Sequence, residues 1–168
     1  LHSSIIIETP GHLDPIKMLL AISSTDLPSY RLIPGIDTKK LKPISTKSRR
    51  FINDKEFLQK EITRLLNEGI IQKSQSPWRA QCFVLKNRNS KKRLIIDYSN
   101  TINTQTPLDA YPMARIDDIT SQVGANSWFS KVDLTSAYHQ IPLAKEDYEL
   151  TAFEAKGDLY EFKFLPFG

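Results

Sequence analysis

The order of periodic segments in this 168-residue chain predicts an α+β fold. Three observations carry that prediction. One stretch repeats apolar residues at helical spacing, two pairs of short apolar runs are each joined by a polar turn, and a second helical stretch lies between those pairs.

The first helix is predicted over about residues 54–68. Phe57, Leu58, Ile62, Leu65 and Leu66 fall on one face. Asn53 and Glu56 have the spacing of a capping box, and Gly69 fits the stop. Ile70 and Ile71 then open an extended stretch that Pro77 interrupts. Strands follow over residues 81–86 and 93–98, with the polar turn Asn87-Arg88-Asn89-Ser90-Lys91-Lys92 between them, so this is a hairpin with a basic tip. Ile116, Ile119 and Val123 mark the second helix, stopped by Gly124. Residues 128–133 alternate as a strand, and residues 150–154 and 160–164 form a second hairpin around Lys156-Gly157-Asp158. Residues 1–37, broken by Pro10, Gly11, Pro15, Pro28, Pro34 and Gly35, read as a lead-in or linker with one short helix near residues 16–22.

Composition narrows the class. Hydrophobic residues make 40% and charged residues 25%, as in globular proteins, and no run reaches the roughly 20 apolar residues of a membrane span. The start has no basic leader, and the missing initiator Met suggests an excised piece of a longer chain. Cys82 is the only cysteine, which excludes an internal disulfide and a cysteine-rich zinc site and makes an intracellular compartment the default. The net charge of +4 is unevenly spread. Residues 38–93 hold 16 Lys and Arg against 4 Asp and Glu, whereas residues 94–168 hold 5 against 11. A basic middle suits a polyanion, because each neutralised phosphate releases counterions, although a solvated lysine-rich surface has the same composition.

Asp133 ends a hydrophobic strand and is followed by Leu134-Thr135-Ser136-Ala137-Tyr138. A carboxylate at a strand end is rigidly placed and suits a hard divalent cation; taken alone, an Asp there is more often a cap or turn former. Lys86 and Arg93 flank the basic hairpin, Trp78 sits between Pro77 and Arg79, and Leu165-Pro166-Phe167-Gly168 closes the chain.

Five ordered blocks carry a family resemblance, from about Thr38 onward. They are Glu61-Ile62, Leu65-Leu66 and Glu68-Gly69-Ile70-Ile71 with Ser74 and Ser76-Pro77-Trp78; Arg93-Leu94-Ile95-Ile96-Asp97-Tyr98; Tyr111-Pro112 with Arg115-Ile116-Asp117-Asp118-Ile119; Lys131-Val132-Asp133-Leu134-Thr135-Ser136-Ala137-Tyr138-His139-Gln140-Ile141; and Leu165-Pro166-Phe167-Gly168. Together they resemble the reverse transcriptases of Ty3/gypsy-type retrotransposons and retroviruses. The resemblance implies the fingers (residues 38–110) and a partial palm (residues 111–168) of a right-hand polymerase, truncated. It implies a nucleotidyltransferase that adds dNTPs to a primer 3′ end by two-metal phosphoryl transfer.

The resemblance also implies roles. Asp133 and the Leu134 carbonyl would hold Mg2+, with Mn2+ as an alternative. Lys86, Arg93, the backbone of Ser136 and Ala137, Tyr138 and Phe167 would bind the dNTP, with Tyr138 excluding a ribose 2′-hydroxyl. Trp78, Arg88, Lys91 and Lys92 would touch the template. By residue type alone, Tyr138, Phe167 and Trp78 also suit core packing, and Lys86 and Arg93 suit a solvated surface. His139 has no evident ligand partner and reads as structural. Asp117 and Asp118 suit a helix start rather than a metal. Ser99, Lys92 and Ala114 depart from residues common in the family.

Partners would be an RNA or DNA template-primer, dNTP and the rest of a Pol polyprotein, in a cytoplasmic retroelement particle or the nucleus. No Asp-Asp pair of the family's Tyr-x-Asp-Asp type follows Asp133, and thumb, connection and RNase H regions are missing, so this piece alone is expected to be inactive. The alternative is a nucleic-acid-binding relic or domesticated fragment without catalysis. An RNA-dependent RNA polymerase also has a palm aspartate, but Tyr138 would obstruct its substrate's 2′-hydroxyl.

Overall fold

The computed structural model describes residues 4–6, 28–47, 54–87, 89, 91–107, 112, 114–124, 127–128 and 131–168, with residues 4–6 and 131–133 described by backbone only. The expected helix near residues 16–22, the Asn53 cap and the hairpin residue Arg88 lie outside the described residues. Among the described residues no helix is long and apolar enough to cross a membrane. The chain divides into two compact units, residues 1–27 with 108–137 and residues 28–107 with 138–168.

In the second unit α1 (Lys55–Asn67) buries Leu58, Ile62 and Leu65, as its spacing predicts. The helix ends in a Schellman motif. Gly69, at φ +69°, donates its N–H to the Leu66 carbonyl at 3.0 Å, and the Ile70 N–H reaches the Leu65 carbonyl at 2.9 Å. Asp54 occupies the N-cap position without a side-chain capping bond, because its carboxylate pairs with Lys92 instead.

The chain then builds a five-stranded sheet in the order β2-β7-β6-β3-β4, from β2 (Ile71–Lys73), β3 (Ala80–Lys86), β4 (Lys92–Asp97), β6 (Phe153–Ala155) and β7 (Asp158–Phe162). Both expected hairpins form. In the second, Ala155 pairs with Asp158 across Lys156 and Gly157, both at positive φ, as a two-residue turn of this hand requires. The link between the hairpins is a parallel pairing of β3 with β6, Ala80 opposite Phe153. The stretch before β6, expected as strand from residue 150, is a 3-10 segment (Lys145–Thr151).

One core gathers Leu58, Ile62 and Leu65 with Ile71, Cys82, Ile96, Phe153, Tyr160 and Phe162. Tyr98 is buried there and donates its hydroxyl to the Thr151 carbonyl at 2.9 Å. Residues 28–37, expected as linker, belong to this unit. Ile33 is fully buried, and Arg31 Nε donates to both oxygens of the buried Asp147 at 3.0 and 3.1 Å while the Leu32 N–H adds a third bond at 2.6 Å. A buried carboxylate needs such partners, so it ties this stretch to the segment before β6.

In the first unit β1 (Ser4–Ile6) pairs antiparallel with β5 (Lys131–Asp133). Helix α2 (Ile116–Gly124) forms as expected, with Asp117 and Asp118 in its first turn. It buries none of its residues, and Ile116 is 80% exposed.

Candidate functional site

The first unit holds the strand-end carboxylate. Asp133 is the last residue of β5, in register with Ser4. Its side chain lies outside the described residues. The chain then turns sharply, with Ser136 at φ +50°, and Ala137 starts a 3-10 turn (Ala137–Gln140). A left-handed residue next to right-handed neighbours aims successive N–H groups toward one point, which is how backbone binds anions. The hydroxyl-bearing Ser136 tolerates this φ at a cost of about 1 kcal/mol.

The Asp133 carboxylate and Leu134 carbonyl are the hard oxygen donors that Mg2+ takes. The donor chemistry fits, but the set is short. Octahedral Mg2+ needs about six oxygens, and among the described residues no group of three or more His, Cys, Asp or Glu gathers as a metal site.

In the second unit the basic hairpin is held by its register, with Lys86 opposite Lys92 and Leu85 opposite Arg93. Strand alternation therefore assigns Lys86 and Lys92 to one face and Arg93 to the other. Lys86 and Arg93 are both exposed, as is Lys91 at the tip, whose carbonyl accepts from the Asn87 N–H at 3.0 Å. Lys92 differs from these three. Its ammonium lies 2.9 Å from Asp54 Oδ1 and 6.0 Å from the centre of the Phe57 ring. Asp54 Oδ1 is buried and has no aligned hydrogen bond, so this ion pair is its compensation. Lys92 thus braces the hairpin on α1 rather than presenting a free cation to a template. Trp78 is also corrected. It is 3% exposed and part of the core, so its indole face is not offered to bases.

Aromatic rings gather elsewhere in the same unit. The Tyr138 and Phe167 rings meet edge to face, 4.9 Å between centres. Phe167 is held there by its flanks, where the Leu165 N–H donates to the Ile141 carbonyl and Asn103 Nδ2 donates to the Gly168 carbonyl, both at 2.9 Å. At 45% exposed, Phe167 is not a core residue, and its ring stays open to a ligand.

Reasoning from sequence missed the third ring. His139 lies 5.1 Å from Phe167, edge to face, and stacks on Phe162 at 6.0 Å. Its Nδ1 is buried without a hydrogen-bond partner among the described residues. Burial first, and the nearby Arg64 guanidinium second, lower its pKa below the ordinary 6.5, which favours the neutral ring. The one sequence signal was its place beside Tyr138; the contact with Phe167 spans 28 positions and has no local signature.

Comparison with known proteins gives the family. Residues 28–168 match the model for "Reverse transcriptase (RNA-dependent DNA polymerase)". The chain is 40% identical over 119 residues to the retrovirus-related Pol polyprotein from transposon gypsy of Drosophila melanogaster, covering 67% of this chain and 11% of that one. It is 34% identical over 133 residues to the Pol polyprotein from transposon 412 of the same fly, covering 75% and 11%. It therefore spans about a tenth of the length of these relatives. Among solved structures, the prototype foamy virus protease-reverse transcriptase shares the fold at a TM-score of 0.67 and 20% identity, over 85% of this chain and 19% of that one. A foamy viral protease-reverse transcriptase in complex with an RNA/DNA hybrid matches to the same extent. The chain belongs to the reverse transcriptase family, on the side of its retrotransposon and retroviral members.

Proposed function

We propose that this chain supplies the nucleotide-facing front of an RNA-directed DNA polymerase, which adds dNTPs to a primer 3′ end. The observation that carries the reading is the ring pair Tyr138–Phe167, whose Tyr138 stands five residues after Asp133 and which lies within the stretch that matches the family. A strand-end carboxylate, an anion-binding turn and an aromatic residue in immediate succession, the last joined by the ring of Phe167, suit a triphosphate with its sugar.

Each residue then has a task. Asp133 and the Leu134 carbonyl would supply part of the oxygen shell of a divalent metal, which when bound would activate the 3′-hydroxyl and stabilise the leaving pyrophosphate. The N–H groups of Ser136 and Ala137 donate to phosphate oxygens. Lys86 and Arg93 bind the triphosphate, Lys as a compact charge and Arg as a planar fork. Tyr138, steadied by Phe167, lies under the sugar and excludes a 2′-hydroxyl. Lys91 and Arg88 contact the template backbone. The foamy virus relative found with an RNA/DNA hybrid supports a template-primer as partner.

The 168 residues alone do not complete this chemistry. One aspartate cannot hold two divalent cations close together against their repulsion. The remaining carboxylates would come from the rest of a Pol polyprotein, so the isolated chain binds nucleic acid without extending a primer. The test is a chimera in which residues 28–168 replace the matching segment of a gypsy Pol polymerase. It should extend a primer on RNA with dNTPs, and Tyr138→Ala should raise rNTP incorporation by tenfold or more, on the order of the 1–3 kcal/mol a steric contact contributes. A chimera that folds but copies no RNA overturns the reading. Unchanged rNTP use overturns the role of Tyr138.

A further inference from the structure

Residues 38–47 cross the second unit as an ordered strap. After the turn Thr38–Lys40, capped by Asp37, Leu41 and Ile44 pack against the core. The backbone is pinned from below at two places. The Gln105 side-chain amide grips Lys42, donating to its carbonyl at 2.8 Å and accepting from its N–H at 3.3 Å. Farther along, the Arg79 N–H donates to the Ile44 carbonyl at 3.1 Å, the Thr46 N–H donates to the Arg79 carbonyl at 2.9 Å, and Arg79 Nε returns a bond to the Thr46 carbonyl at 2.9 Å.

With its apolar side down and its backbone held, the strap turns Lys39, Lys40, Lys42 and Lys47 outward, all exposed. Among the described residues none of the four forms an ion pair. The carboxylate bonded to the strap, Asp37, accepts from the Lys39 backbone N–H.

We propose that this strap is a rail for the phosphodiester backbone of one unpaired nucleic-acid strand. Four ammonium groups outside the described ion pairs follow one another along a single anchored backbone, as the phosphates of one strand follow one another, whereas a duplex offers two rows across a groove. Lysine is a point charge without planar hydrogen-bonding geometry, and Trp78, which precedes Arg79 in the chain, is buried. The rail therefore grips without reading bases. Pre-ordering matters because a fixed backbone loses less entropy on binding than a loose lysine tail. The proposal deepens the polymerase reading and rests on it for the strand's identity as template.

The test uses the 168-residue chain with fluorescein-labelled oligouridine, without dNTP or metal, and reads affinity against salt. Replacing Lys39, Lys40, Lys42 and Lys47 by Gln should flatten the slope of log K against log salt by about 2.8, roughly 0.7 per lysine. Replacing all four by Arg should restore it. Gln105→Ala, which frees the strap and keeps every charge, should weaken binding several-fold with the slope unchanged. Circular dichroism and melting temperature verify that each variant is folded. An unaltered slope in the folded Gln variant overturns the rail, as does tighter binding of duplex than of single strand. Undiminished affinity in Gln105→Ala overturns the role of the anchoring. These outcomes leave the polymerase reading intact, and an inactive chimera would leave the rail intact.

Discussion

His139 shows how a side chain with no ligand can still shape a site. Its ring is wedged against Phe162 and Phe167, with a buried nitrogen that has no hydrogen-bond partner among the described residues. Burial opposes its charge, Arg64 opposes it further, and Glu68 and Glu61 offset this only in part. The unfolded chain therefore takes up this proton first as pH falls. The stability His139 contributes is present above about pH 6.5 and is lost as pH drops through its lowered folded pKa. An NMR titration should give its midpoint below 6.5, and His139→Phe, which keeps the ring contacts, should lessen the acid loss of stability. A midpoint at or above 6.5 would contradict the packing described. Cys82 follows the same logic with opposite sign of charge, since burial, with Glu154 second, pushes its thiol up to about 11.

The elements were legible where their signals are local. Helix α1, its glycine stop, both hairpins and α2 follow from period and turn chemistry within a few residues. The parallel pairing of β3 with β6 was not legible, because it joins Ala80 to Phe153 and leaves no local mark. The same distance hid the fate of Lys92, whose partner Asp54 stands 38 residues earlier. At Gly69 the left-handed φ is part of the Schellman stop, so Gly69→Ala should cost about 1 kcal/mol in urea denaturation. The same substitution without loss would mean the motif does not hold the helix end. For the hairpin brace, a double-mutant cycle of Asp54→Asn and Lys92→Gln should give a coupling of up to about 1 kcal/mol, discounted for partial exposure. A coupling of zero would return Lys92 to the set of free cations.

At the scale of the molecule, the candidate site was legible as a succession of residues and not as a shape. Asp133, Ser136, Tyr138 and Phe167 stand out from their neighbours in sequence, and the ring pair between the last two is a contact the sequence does not spell out. Trp78 failed as a template contact because its composition, an aromatic beside proline and arginine, suits a surface and a core alike; the packing around it decided. The linker expected over residues 1–37 failed at residues 28–37 because a proline-rich stretch can be pinned by one buried carboxylate, Asp147. The proposed chemistry depends on the carboxylate at the end of β5. In the active chimera carrying residues 28–168, Asp133→Asn keeps the volume and removes the charge, so RNA-templated primer extension should fall by 1000-fold or more, about 4 kcal/mol of transition-state stabilisation. Extension at the unsubstituted rate would contradict the assignment of Asp133 as the metal-holding carboxylate.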